Sequence, residues 1–298
     1  MGGSRSSPRA ASTPTTTRRN SMKIAVTSGK GGTGKTSVAV NLALSLGEAQ
    51  VLDCDVEEPN AHILLRPEIE GTFPVELKVP RIIEERCDYC GECARFCQFN
   101  ALFVAGETAM VFPELCHSCG GCSLVCPRDA IEEEPRQIGK VVRGKAGEID
   151  LVYGEINVGE ALAVPVIAAV KDHINEERTV ILDSAPGSAC PLVETVHGVD
   201  FCLLVTEPTP FGLHDLKVAV EVVKILDIPM GVVVNFAGIG DRGVYDFCEE
   251  RGIPLMMEIP FDRRIAELYS RGIPFVEAMP EWRQRFRDLV GQIEERVK

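Results

Sequence analysis

Two stretches of this 298-residue sequence combine residue types and spacings that carry definite chemistry. Gly29–Thr36 reads GKGGTGKT and satisfies G-x-x-x-x-G-K-[ST]. Glycines at such spacing let backbone N–H groups close around phosphate oxygens, and a following helix N-terminus adds positive potential. Gly29, Gly31, Gly32, Thr33, Gly34, Lys35, Thr36 and Ser37 are therefore the expected nucleotide cradle, with Lys35 reaching the β/γ-phosphates and Thr36 ligating Mg²⁺. The second stretch is thiol-rich: eight of the chain's twelve cysteines lie between Cys87 and Cys126. Cys87, Cys90, Cys93 and Cys97 form C-x₂-C-x₂-C-x₃-C, and Cys116, Cys119, Cys122 and Cys126 repeat it 29 residues later, followed by Pro127. This is a spacing that holds [4Fe–4S] clusters. Zinc ribbons use two well-separated pairs and would leave half of these thiols surplus. A secreted disulfide framework suits a short chain behind a signal peptide, and none is visible here.

The duplication extends past the cysteines, because Asn100-Ala101-Leu102 matches Asp129-Ala130-Ile131. The block resembles a bacterial-type two-cluster ferredoxin. That resemblance implies that the fourth cysteine of each run ligates the other cluster. It gives Cys87, Cys90, Cys93 and Cys126 on one cluster and Cys97, Cys116, Cys119 and Cys122 on the other. Gln98 stands where the first run would carry proline, and His117 is expected to be a neighbour of the cluster rather than a ligand.

The phosphate loop with its early Lys30 resembles the deviant Walker A loop (K-G-G-x-G-K-T) of the MinD/ParA/Mrp/nitrogenase-iron-protein class. In that class the early lysine crosses to the partner subunit's nucleotide. The resemblance thus implies an ATP-sandwich homodimer in which Lys30 acts as an arginine finger does, an effect worth about 10³ or more. Asp53-Cys54-Asp55 resembles the first switch, with Asp55 orienting the attacking water and Asp53 near the Mg²⁺ shell. Ile181–Gly187 (ILDSAPG) resembles the Walker B strand and second switch, with Asp183 on Mg²⁺ and Gly187 sensing the γ-phosphate. Asn235, Pro260 and Asp262 fall where the class reads and packs adenine, and Val205–Lys217 also resembles this group. Cys190, seven residues beyond Asp183, stands where the nitrogenase iron protein places a cluster ligand. No second cysteine occurs near residues 145–165, so a packed or capping thiol is the competing reading.

The elements that must position these residues alternate. Strands are expected at Lys23–Ser28, Ala49–Cys54, Thr179–Asp183, Phe201–Thr206, Gly231–Asn235 and Leu255–Ile259. Helices are expected over Thr36–Leu46 and near 159–176, 212–226, 241–251 and 262–271, while residues 56–80 read as Pro-rich and irregular. This is the pattern of an α/β fold, a doubly wound, mostly parallel sheet. Resemblance makes it a P-loop NTPase of the SIMIBI type. The cysteine block interrupts it, so residues 22–80 and 139–298 are assigned to the ATPase domain and 81–138 to an inserted small α+β ferredoxin domain. Residues 1–21 hold nine Ser/Thr, four Arg and no acid, and are set aside as a disordered tail. A transit peptide and an initiator at Met22 are the other readings of that tail. Trp282, Phe286, Leu289, Val290, Ile293 and Val297 share a face of a C-terminal helix whose mixed-charge polar side predicts docking on the sheet rather than on a membrane. Cys54, Cys202 and Cys248 read as buried core residues.

A formal charge of −13 argues against nonspecific binding to nucleic acid or anionic lipid, and no run suits a membrane span. The expectation is a cytoplasmic ATPase with ATP, Mg²⁺ and two [4Fe–4S] clusters. Dimer switching would be coupled to electron transfer toward a redox partner not identifiable from the sequence. Two rivals remain: an Mrp-like carrier that hands clusters to apoproteins, and a ParA/MinD-type positioning ATPase whose clusters sense redox state.

Overall fold

A computed structural model describes residues 21–187 and 189–297. The tail expected over residues 1–21 lies, but for Ser21, outside them. A nine-stranded sheet forms the centre, in the order β11-β10-β9-β1-β8-β2-β7-β6-β3. Its parallel strands are β1 (Lys23–Thr27), β2 (Ala49–Cys54), β7 (Ile149–Ile156), β8 (Thr179–Ser184), β9 (Phe201–Thr206), β10 (Met230–Ala237) and β11 (Leu255–Pro260). β6 (Ile131–Ala146) and β3 (Glu68–Ile82) add two antiparallel strands at one edge.

Burial on both faces follows from alternation along apolar strands. Ile24 and Val26 of β1 face a cluster built by α1 (Lys35–Leu46), α2 (Ala61–Leu65), α10 (Phe275–Ala278) and α11 (Glu281–Val297). Ala25, with Cys202 and Leu204 of β9, faces α6 (Cys190–Val196), α7 (Pro210–Ile225) and α8 (Gly243–Arg251). Leu52 and Cys54 of β2 pack against α5 (Ala163–Lys171). Helix α9 (Arg263–Ser270) follows β11. The C-terminal helix docks as expected through Trp282, Phe286, Leu289, Val290 and Ile293, which are buried, whereas Val297 at its last turn is exposed. Arg283 and Arg287 donate to the Leu44 and Ser45 carbonyls at 2.8 and 2.7 Å, satisfying the open end of α1. Cys54, Cys202 and Cys248 are buried as expected.

Residues 56–80 are not irregular. They hold α2 and most of β3, a 15-residue strand that pairs with the 16-residue β6 along its whole length. Neither β6 nor β7 is evident from sequence patterning, because glycines and prolines break the apolar alternation. Pro74 and Pro80 are tolerated since β3 is the outer edge and one side of it has no ladder to supply. β6 leaves β7 at Gly139↔Ile156, and residues 131–138 pair only with β3. The two strands therefore run on as a ribbon for about 25 Å beyond the C-terminal end of the parallel strands. That is the end from which the phosphate loop springs. The boundaries expected at 81 and 138 fall inside these strands. Between them, residues 83–130 carry all eight clustered cysteines, α3 (Glu92–Phe96), the hairpin β4 (Leu102–Ala105) and β5 (Thr108–Val111), and α4 (Gly121–Leu124).

Candidate functional site

The phosphate loop joins β1 to α1. Gly34, the residue before the helix, sits at φ +90°, and a Cβ there would run into Asn235 Nδ2. A Cβ on Gly29 would meet the Asp215 carbonyl. The loop is thus fitted to its neighbours at two glycines that no other residue could replace without displacement.

Gly31, Gly32, Gly34, Lys35, Thr36 and Ser37 line a cleft of about 350 Å³, together with Asp55, Glu58 and Asn60 from the loop after β2 and Pro186 from the loop after β8. Asn235, Phe236, Pro260, Phe261, Asp262 and Tyr269 close its far end. Lys35 is buried, as is Asp183, neither of whose oxygens has a hydrogen-bond partner. Burial raises the Asp183 pKa well above the carboxylate range and nearby Asp53 adds to it, against the Thr36 hydroxyl and Lys35. An orphaned, fully buried carboxylate beside a threonine hydroxyl is a donor set suited to a hydrated divalent cation. Asp55 is pushed up to about 6, chiefly by burial, with Lys35 opposing.

Several expected residues also make contacts that hold the site in shape. Asp53 accepts backbone N–H bonds from Asp55 (3.1 Å), Asn60 (2.9 Å) and Ala61 (2.9 Å), which ties down the loop carrying Asp55 and caps α2. Asn235 Nδ2 donates to the Thr33 carbonyl at 2.8 Å, and its Oδ1 accepts from Phe236 N, so it braces the phosphate loop. Asp262 caps α9 through Arg264 N at 2.7 Å. Gly187 N donates to the Ser28 carbonyl. Lys30 is turned to Glu207 of its own chain, with Nζ 2.6 Å from Oε1. Sequence reading missed Glu207, although it lies in the VTEPTP segment singled out above. It also missed Phe236, Phe261, Ile265, Ala266 and Tyr269, which line the cleft beside Asp262. Ile265, Ala266 and Tyr269 follow helical spacing from Asp262, a signal available in the sequence.

The eight cysteines divide between two cavities. Cys87, Cys90, Cys93 and Cys126 line one, with Ile82, Val104 and Ile131. Cys97, Cys116, Cys119 and Cys122 line the other, with Phe96, Phe99 and His117. Each run thus contributes three cysteines to one cavity and its fourth to the other. The 29-residue repeat also recurs in the backbone. Left-handed φ values occur at Tyr89 and Ser118, Gly91 and Gly120, and Asn100 and Asp129. Ala101 N and Ala130 N donate to Cys97 Sγ and Cys126 Sγ, each at 3.3 Å. Among the described residues no group of three or more His, Cys, Asp or Glu is arranged to hold a single metal ion. The fit to a polynuclear group rests on four thiols around each cavity and on N–H bonds to sulfur. Cys190 is exposed at the start of α6.

The loop carrying Asp55 is bonded to the ribbon. Ile156 N donates to the Val56 carbonyl, one residue beyond Asp55, at 2.9 Å. Asn157 N then donates to the Ile138 carbonyl and Asn157 Nδ2 to the Gln137 carbonyl, where the ribbon leaves the sheet. Arg136 pairs with the buried Glu160 at 2.7 Å beside them.

The family model of the CobQ/CobB/MinD/ParA nucleotide-binding domain matches over residues 24–275, a span that takes in the parallel strands from β1 to β11. The chain belongs to this family. As a MinD/ParA-type P-loop protein it is expected to bind ATP and Mg²⁺, in keeping with the cleft. An uncharacterised protein of Methanocaldococcus jannaschii is 33% identical over 283 residues, covering 92% of this chain and 96% of that one. An iron-sulfur cluster carrier protein of the same organism is 24% identical over 303 residues, covering 93% and 85%. Among solved structures, MinD of Pyrococcus horikoshii with Mg-ADP superimposes with a TM-score of 0.57 at 18% identity, covering 92% of this chain and 96% of that one. That likeness concerns the fold. No helix among the described residues is long and apolar enough to cross a membrane.

Proposed function

We propose that this protein is an ATPase that switches as a homodimer and couples nucleotide state to electron transfer through two [4Fe–4S] clusters toward a partner protein. The observation that carries the coupling is the bonded route from Asp55 through Val56, Ile156 and Asn157 to the foot of the ribbon. A shift of the loop on nucleotide binding or hydrolysis would pull on the strands that bear the cysteine segment, not on a slack linker.

In this reading Lys35 neutralises the β/γ-phosphates, Thr36 and Asp183 hold Mg²⁺, and Asp55 orients the attacking water as its carboxylate. Asp53 keeps the Asp55 loop in register, and Asn235 holds the phosphate loop in shape. Lys30 must leave Glu207 to reach the partner subunit's nucleotide. The eight thiolates would hold the clusters in the crossed arrangement, and bound clusters would supply one-electron chemistry. With clusters bound, the N–H donors to Cys97 and Cys126 would lower the electron density on sulfur and so tune the potential.

A second reading, transfer of clusters to apoproteins, is favoured by the relatives named as iron-sulfur cluster carriers. It fits poorly with thiols arranged four to a cavity, since a carrier must release its cargo. Anaerobic protein assayed for ATPase rate when oxidised and when dithionite-reduced, with EPR on the same samples, tests the proposal. A rate or spectrum that responds to the other cofactor's state supports coupling. Rapid loss of iron to a chelator, with rate and spectrum mutually indifferent, supports the carrier.

A further inference from the structure

Large apolar side chains are unevenly exposed on this protein. Seven of those at the surface fall within residues 83–130, and they are not spread evenly around the two cavities. Phe96 and Phe99 line the Cys97/Cys116/Cys119/Cys122 cavity and are 45% and 41% exposed. Leu115, next to Cys116, is 49% exposed. Leu124 is 87% exposed and lies one helical turn from Gly121, over which the Phe96 ring is packed. Phe99 stacks on the exposed His117, with 3.6 Å between ring centroids. The rim of the other cavity is ionic: Asp88 pairs with Arg128 at 2.7 Å and Glu92 with Arg95 at 2.5 Å.

We propose that the apolar rim formed by Phe96, Phe99, Leu115 and Leu124 is the docking surface for a redox protein with an apolar centre and a basic border. This rests on the cluster reading given above. Exposed apolar groups that surround one site rather than scatter mark an interaction surface. Charge selects the occupant. Residues 83–130 carry seven Asp/Glu against three Arg, and Glu114 and Glu133 lie beside the rim. A second copy of this chain would bring the same acidic surface, and an anionic membrane the same sign, so both are repelled where a cationic protein is steered in. The surface also lies over the cavity nearer the ATPase core, since Lys78 and Glu133 line that cavity while Ile82 and Ile131 line the outer one. The partner would therefore dock where movement of the ribbon foot changes what it meets.

The test uses oxidised, full-length holoprotein and two haem proteins as probes: ferricytochrome c, whose haem edge has a lysine border, and cytochrome b5, whose border is acidic. Calorimetry at low and moderate salt gives Kd with no electron moving, and iron content and EPR report whether the clusters are intact. Ferricytochrome c should bind, more weakly as salt rises, and the double variant Leu115→Ser/Leu124→Ser should weaken it about tenfold or more. Neither leucine lines either cysteine cavity. Ile225→Ser, at an 83% exposed position on α7, should bind as the parent does. An unchanged Kd in the iron-loaded double variant would overturn the proposal, as would equal binding of cytochrome b5. Self-association or binding to anionic vesicles that the double variant abolishes would replace the redox protein as occupant. Parent protein that cannot be loaded with iron would remove the cluster reading and this proposal with it. Loaded protein blind to ferricytochrome c removes the proposal alone.

Discussion

Replacing Glu207 by glutamine should strengthen ATP-dependent dimerisation. Lys30 Nζ lies 2.6 Å from Glu207 Oε1, with the two side chains 32% and 19% exposed. If Lys30 acts in trans, each subunit must break this pair when the dimer closes. An ion pair at this partial exposure is worth about 1 kcal/mol, at the upper end of the range for surface pairs. Two are broken per dimer, so their removal should favour closure by about 2 kcal/mol, or roughly 30-fold in dimer Kd. Glutamine keeps an acceptor for the Thr209 hydroxyl, which itself receives Gly212 N at the start of α7, so the helix cap survives. The measurement is sedimentation equilibrium with Mg-ATP in an Asp55→Asn background that slows hydrolysis. An E207Q dimer no tighter than the parent, with unchanged thermal stability, would refute the view that this pair restrains Lys30. Tightening that is equal without nucleotide would refute it as well, because Lys30 would then have no phosphate to reach.

Further outcomes follow from the same geometry. Gly34→Ala should abolish ATP binding by calorimetry while the circular dichroism spectrum persists, since the new methyl would displace Asn235 from the loop at φ +90°. The hydrolysis rate should rise with pH through about 6, because Asp55, held near that value by burial, must be ionised to orient water; a flat profile from pH 5 to 8 would remove it from that role. Asp183→Asn should raise the apo melting temperature at pH 7 by roughly 2–4 °C while eliminating Mg²⁺-dependent turnover. The sign follows from linkage: with its pKa raised, folded Asp183 keeps a proton that the unfolded chain has lost, so stability falls as pH rises above the usual carboxylate value toward the folded one. Cys126→Ser should remove about half the iron and spare the centre made by Cys97, Cys116, Cys119 and Cys122, and a quantified EPR spectrum distinguishes this from loss of both.

What sequence alone determined about this protein was local. The phosphate loop is eight consecutive residues, and its chemistry follows from glycine freedom and a helix N-terminus next to a strand. The cysteine runs repeat over short spacings, and the C-terminal helix shows its buried face at helical intervals. The α/β alternation was legible for the parallel strands, because a strand buried on both faces must be continuously apolar. Tertiary structure decided what depends on distant partners. β3 is a strand because β6 pairs with it, although Gly71, Pro74 and Pro80 break its pattern. Asn235 meets the Thr33 carbonyl across 202 residues, and Lys30 meets Glu207 across 177. An asparagine ending a strand or a glutamate before a proline has many possible partners, and only the folded register selects one. The route from Asp55 to the ribbon belongs to the same class. Apart from Asn157 Nδ2 on the Gln137 carbonyl, it is made of backbone hydrogen bonds, which any residue can supply, so side-chain identity left little trace of it in the sequence.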